Sequence, residues 1–251
     1  MKAKIGWIIG GILVFLFFLI AYIPASQVTT RVSLPENVSL YGVSGTVWEG
    51  KAEQVIVDGL PVNNVRWDVH PLWLLIGDLH VSLKGGNIRS ADAISFSGPL
   101  TTGLFSTDRI SVSNFSAYVP VDRVLAQVSL PLPVNASGRF KLTIQTLDYD
   151  GQCNELNGQG SWLNAAVAGT QGPIDFGSYD AALTCTDGKF IVNVEEPNKL
   201  GLSMQAQADA QFNDISVQGR FKPDADLPKE VHQAARFFGQ PNSNGYTQFK
   251  L

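Results

Sequence analysis

The sequence predicts an all-β domain, a strongly curved antiparallel sheet of half-barrel or trough-like form with one short C-terminal helix, preceded by a single N-terminal transmembrane helix. Three observations lead there. Apolar and polar residues alternate with period two through most of the chain, one unbroken apolar run stands at its start, and helical periodicity is scarce beyond that run. The 251 residues suit one β domain with an appendage.

Ile5 to Ile23 is free of charge and of proline. As a helix rising ~1.5 Å per residue it would reach roughly 28 Å, close to the ~30 Å hydrocarbon core of a bilayer. Ile5, Trp7, Phe15, Phe18 and Ile23 are its candidate anchor residues. A cleaved signal peptide is the rival reading, but its apolar region is shorter and ends in a small-x-small site. Ala21-Tyr22-Ile23 is bulky, and Pro24-Ala25-Ser26 is a faint cleavage candidate, so length favours a retained anchor. Lys2 and Lys4 precede the run and no acid accompanies them, whereas the remainder holds 16 basic against 22 acidic residues. The positive-inside bias then keeps the N-terminus in the cytoplasm and sends the rest across. Residues 1–23 are read as the cytoplasmic N-terminus and anchor, and 24–251 as an exported β domain.

Within that domain Val65, Trp67 and Val69 alternate with polar residues, as do Leu79, Val81 and Leu83, then Phe140, Leu142 and Ile144. The clearest run is Leu202 to Phe212, in which every second residue is apolar. Each reads as a strand with one wet and one dry face. Shorter patterns mark Val43–Trp48, Val55–Val57, Ile110–Phe115, Tyr179–Cys185, Phe190–Val194 and Ile215–Phe221, with a final strand over Tyr246–Leu251. Lys84-Gly85-Gly86-Asn87 and Asp187-Gly188 are turn signals, the second suited to a two-residue hairpin. Helix is expected at Val121–Val128 and at Pro228–Phe238. In the latter Pro228 suits the first position, Val231, Ala234, Ala235 and Phe238 share a stripe, and Gly239 and Pro241 stop it.

Cys153 and Cys185 are too far apart for a CxxC redox motif, and an oxidising compartment with an even count favours a bridge over two buried thiols. Closing that loop is worth ~3.7 kcal/mol in the chain-entropy picture. A bacterial periplasm fits both the anchor and the bridge.

The search for chemistry is mostly negative. A net charge of -4 without a basic stripe speaks against nucleic acid. Gly42-Val43-Ser44-Gly45-Thr46 misses the last glycine of a nucleophile elbow, and Gly158-Gln159-Gly160 lacks the third glycine and the helix of a dinucleotide fingerprint. His70, His80 and His232 have no metal-ligand spacing; Asp68 and His70 share a strand face, which is more simply a solvated one. Ser44, Asp68 and His70 are the only hydrolase candidates, and no cofactor or metal is expected. Trp73 and Trp162 are candidates for lining a groove or meeting a partner. About a dozen strands offer one apolar face each and a single amphipathic helix can cover them, so the sheet has to curl, form a sandwich or leave a greasy trough.

Ser44-Gly45-Thr46-Val47-Trp48-Glu49-Gly50 resembles the G-T-hydrophobic-W-x-G box of the type II secretion system protein N (general secretion pathway protein N) family. Val65 to Leu79, with Trp67, Pro71 and Gly77, resembles that family's W-x-hydrophobic-x-P…G block, and the helix, Gly239, Pro241 and Gly245-Tyr246 resemble its close. In the first box Gly45 and Gly50 are expected to permit a tight strand entry, with Val47 and Trp48 on opposite faces. The resemblance implies a non-enzymatic accessory component of the Gram-negative inner membrane, serving the machinery that exports folded proteins from the periplasm. Its partners would be other inner-membrane components of that machinery. A lipid-handling β-groove of AsmA-like type is the alternative.

Overall fold

The computed structural model describes residues 2–31, 37–106, 108–126 and 135–250, apart from the side chains of residues 2–6 and 9. Helix α1 (Lys2–Ala21) is followed by a short helix α2 (Ala25–Thr29) that carries no sequence signal. α1 ends two residues before the expected Ile23. Pro24 disfavours helical backbone at Ile23, and the Ile23 carbonyl instead accepts the Val47 N–H at 3.0 Å. Among the described residues no helix is long and apolar enough to cross a membrane.

The described residues form one 14-stranded antiparallel sheet. Its strands are β1 (Val38–Tyr41), β2 (Ser44–Gly45), β3 (Glu49–Val57), β4 (Leu60–Val69), β5 (Asp78–Gly85), β6 (Ser95–Gly103) and β7 (Arg109–Pro120). They continue as β8 (Ala136–Asp150), β9 (Cys153–Gly169), β10 (Gly172–Thr186), β11 (Lys189–Val194), β12 (Ser203–Ala208), β13 (Ile215–Phe221) and β14 (Thr247–Lys250). From β3 to β14 each strand pairs with the next in the chain, while β1 and β2 both lie against β3. The sheet does not close, and its outer strands β1 and β14 have four residues each. Short edges of this kind limit unwanted pairing with other chains.

Register sorts the two faces. Successive rungs run from Phe96 through Ala117, Leu142, Gly160 and Ala181 to Val194, Met204, Gly219 and Phe249, apolar or glycine at every strand from β6 to β14. The neighbouring rung, turned to the other face by the pleat, reads Ser116, Thr143, Gln159, Ala182, Asn193, Gln205 and Gln218. The sheet curls over its apolar face. Strands three apart in a flat sheet lie ~14 Å from one another, yet the rings of Tyr149 on β8 and Phe190 on β11 stack at 6.2 Å, and the Tyr149 hydroxyl donates to the Ala210 carbonyl at 3.2 Å.

The end of the sheet where β4 finishes and β5 begins is called the upper end here. At the lower end a short core gathers Ala165, Phe176, Tyr179, Val194 and Leu227, with Trp162 and Val231 packed against it. Val231 belongs to α4 (Lys229–Ala235), which continues as a 3-10 turn Arg236–Phe238. The Glu230 carboxylate accepts the Thr170 N–H at 3.1 Å, tying α4 to the β9–β10 turn. α4 follows the expected span, with Pro228 as its cap rather than its first residue; Phe238 leaves the stripe to meet the rings of Phe221 and Phe249.

Other expectations need correction. The alternation to Phe212 stops pairing at Ala208, because the Asp209 carboxylate gathers the N–H groups of Asn213 (2.7 Å) and Asp214 (3.3 Å) into a turn. Val43–Trp48 is not a strand but β2 followed by a tight turn. α3 (Val121–Leu125) fills the start of the expected Val121–Val128 helix, whose last two residues lie outside the described ones. β9, at 17 residues the longest described strand, shows no alternation in the sequence because Gly158 and Gly160 stand at apolar positions of its pattern. A β-carbon at Gly158 would lie in ordinary contact with the Leu183 side chain of β10 and tight, at 3.2 Å, against the Thr143 carbonyl of β8. Asp187 and Gly188, with φ 51° and 75°, make the expected hairpin turn.

Cys153 and Cys185 are joined by a disulfide with Cα atoms 5.7 Å apart, fastening β9 to β10 at the upper end. Replacing both by serine is expected to lower unfolding stability by about 2–4 kcal/mol, read from urea titrations of the full chain in detergent with and without reductant. The variant should be insensitive to reductant; an unchanged midpoint would show that the bridge adds nothing.

Candidate functional site

Two features stand out: a junction that fastens α1 to the sheet, and the apolar face. The junction is built by the β2–β3 turn. Thr46 closes it, its N–H donating to the Glu49 carbonyl at 2.8 Å and its Oγ1 accepting the Glu49 N–H at 3.1 Å, so that Val47 and Trp48 sit at the tip of a turn and not on opposite faces of a strand. From that tip the Trp48 indole N–H donates to the Ile20 carbonyl at 2.8 Å. Ile20 is in the last turn of α1, where the helix itself leaves carbonyls open; its carbonyl takes the Ile23 N–H at 3.4 Å and, from outside, the shorter bond of the indole. A bridge between Pro24 and Thr46 and the bond from Val47 to Ile23 complete the fastening.

The strand behind holds the turn in place. Trp67 on β4 donates its indole N–H to the Val47 carbonyl at 3.2 Å and lays its ring against Gly50. A β-carbon at Gly50 would overlap that ring, so glycine is required there for space and not for a left-handed backbone. Gly45 is the conformational case, at φ 89°, and a β-carbon there would also fall 2.6 Å from the Glu49 carbonyl.

Next along β4, Pro71 opens a 3-10 turn, Pro71–Ile76, and Gly77 ends it with its N–H shared by the Leu74 and Trp73 carbonyls. Trp73 stacks on His80 at 4.8 Å, His70 meets the same ring edge-on at 5.1 Å, and His80 Nδ1 lies 2.7 Å from Thr101 Oγ1. Burial, helped by the neighbouring His70, holds the His80 imidazole below its ordinary range. Asp68 and His70 approach to 3.9 Å in the open, and the His70 ring turns to His80 rather than to a nucleophile. Ser44 pairs with Lys51 on β3. Among the described residues no group of three or more His, Cys, Asp or Glu is placed to hold a metal.

The remaining sequence candidates fall apart in space. Trp162 is half-buried in the lower core, its indole N–H donating to the Ser137 carbonyl at 3.0 Å, whereas Trp73 is at the upper end; the two do not share a groove. Trp7, Phe15 and Phe18 are exposed on α1 and Ile23 is half-buried at the junction, while the Ile5 side chain lies outside the described residues. The Trp48-to-Ile20 bond had no signal in the sequence, since it joins residues 28 positions apart. The apolar face is the largest feature. Apart from Val194, the large side chains on its long rung are only half-buried, and the accessible surface is 16601 Å² against roughly 11,000 Å² for a compact monomer of this mass.

Trp48→Phe, which removes one hydrogen bond, is expected to cost about 0.5–1.5 kcal/mol and to speed tryptic cleavage after Arg31. Gly50→Ala, which forces the Trp67 ring aside, should cost about 1–3 kcal/mol; urea midpoints of the full chain in detergent check both. Because the folded His80 pKa is lowered, its contribution is present above an unfolded imidazole pKa of ~6.5 and is lost as pH falls through the folded value. His80→Gln should therefore flatten the fall in stability between neutral and mildly acidic pH, measured by the same midpoints.

The profile of the family described as type II secretion system (T2SS), protein N matches residues 36–250. The type II secretion system protein N of Vibrio cholerae serotype O1 is 24% identical over 257 residues, 99% of this chain and 98% of the relative. Those of Aeromonas hydrophila, 28% identical over 92% of this chain and 90% of the relative, and of Pectobacterium carotovorum subsp. carotovorum, 24% identical over 98% and 96%, are similar as well. No solved structure matches at a significant level. With a fastened N-terminal helix, an open curled sheet and this match along most of its length, the chain belongs to the type II secretion system protein N family.

Proposed function

We propose that the chain is a non-enzymatic, single-pass accessory component of the type II secretion machinery, anchored in the inner membrane by α1 with its N-terminus in the cytoplasm. Residues 24–251 then form a periplasmic domain that docks other inner-membrane components of the machinery on the apolar face of its sheet. The half-buried rung from Phe96 to Phe249 carries this reading, because so wide an apolar face is stable only when something covers it. Lys2 and Lys4 at the N-terminal end of α1, the exposed Phe15 and Phe18 along it, and a disulfide suited to an oxidising compartment support the topology. A second reading, a lipid-handling groove, is favoured by one observation: the rung carries no charged residue that would repel acyl chains.

A photoreactive benzoylphenylalanine in place of Leu142, on the apolar face, or of Thr143, on the polar face, tests both readings in native membranes. Docking is expected to give adducts with secretion subunits at Leu142 and not at Thr143. Adducts of phospholipid mass alone would transfer the face to lipid handling, and equal labelling at both positions would sink both.

A further inference from the structure

The upper end of the sheet carries an apolar knob that neither the junction nor the curled face uses. In the 3-10 turn Pro71–Ile76, Leu72 and Leu75 are three residues apart and so lie on one side. They are 76% and 83% exposed, and Ile76 is 70% exposed. The β6–β7 loop stands next to them, held by the Leu104 N–H to the Gly77 carbonyl at 2.9 Å, and presents Phe105 at 96% exposure. The knob is firmly built. Trp73 is pinned on His80, and the His70 N–H donates to the His80 carbonyl at 3.0 Å.

Its position says what meets it. The Val69 N–H, two residues before Pro71, donates to the Trp48 carbonyl at 2.6 Å, and the Trp48 indole holds the last turn of α1. The knob therefore lies beside the point where α1 leaves the domain. The large apolar side chains described along α1, from Trp7 to Ile20, are exposed on all sides, so the helix stands clear of the sheet. A bilayer that houses α1 has to meet this end of the sheet.

We propose that Leu72, Leu75, Ile76 and Phe105 form a second, apolar membrane contact that seats the upper end of the sheet in the bilayer interface beside α1. This rests on the reading of α1 as a span. Pro71–Ile76 and Leu104–Ser106 contain no lysine or arginine, so the contact is one of apolar insertion rather than attraction to anionic headgroups, and salt does not release it.

The test uses the full chain in phosphatidylcholine nanodiscs, labelled with an environment-sensitive fluorophore at Leu75→Cys, Phe105→Cys, Phe15→Cys or Phe237→Cys. Phe237 is a comparably exposed aromatic, at 85%, in the 3-10 turn after α4 at the opposite end. Nitroxide-bearing lipid is expected to remove most of the fluorescence at Leu75→Cys, Phe105→Cys and Phe15→Cys, at low and high salt alike, while aqueous iodide quenches Phe237→Cys. Lipid quenching at Phe15→Cys with iodide quenching at Leu75→Cys and Phe105→Cys overturns the second contact and leaves the span standing. Shielding of both knob positions from lipid and iodide also overturns it, since protein then covers them. Loss of lipid quenching at Phe15→Cys overturns the span itself, and with it the placement argued here.

Discussion

An antiparallel sheet whose strands share one apolar face has to rest that face on something, and the described residues provide little to rest it on. The rungs between β6 and β14 put Leu, Val, Ala, Met and Phe on one side, and the helical cover among the described residues is small: α4 contributes Val231 beside Leu227, and the short α3 buries Val121. A second sheet would make a sandwich; a full complement of helices would make an α+β layer. Here the sheet bends instead until Tyr149 reaches Phe190, which hides part of the face and leaves the remainder half-buried. The half-buried rung follows from that compromise, and the free-standing α1 adds to the accessible surface.

The two ends of the curled sheet are built for different tasks. The lower end is closed: Phe176, Tyr179 and Val194 meet the Leu227 loop and α4, and the Glu230 carboxylate holds that cover on the β9–β10 turn. At the upper end the β2–β3 turn grips the end of α1 through Trp48, and the disulfide fastens β9 to β10. The indole binds a helix end at a carbonyl of the last turn, where the helix offers no N–H of its own and the Ile23 N–H reaches it at 3.4 Å.

The fold was legible where alternation was unbroken, as at Val65–Val69 and Phe190–Val194, and in α4, where a helical stripe sits between proline and glycine signals. It was illegible where the apolar positions hold glycine, as in β9, because a residue without a side chain leaves no mark in a hydropathy pattern even on the apolar face of a strand. Alternation also ran past the true end of β12, since it does not register that Asp209 turns the chain. The glycines and tryptophans of the first box were visible, but their reasons were not: the closeness of Gly50 to Trp67 is set by the β3–β4 register.

By itself the sequence determined the β class, the apolar run at the start of the chain, the C-terminal helix and the cysteine pair, all of which rest on local period or on counting. Only the tertiary structure decided that the sheet stays open, that Trp48 receives the end of α1, and that Trp73 and Trp162 lie at opposite ends. The physical reason is range. Propensity and alternation act over a few residues, whereas curl, helix fastening and the meeting of loops depend on contacts between residues tens of positions apart.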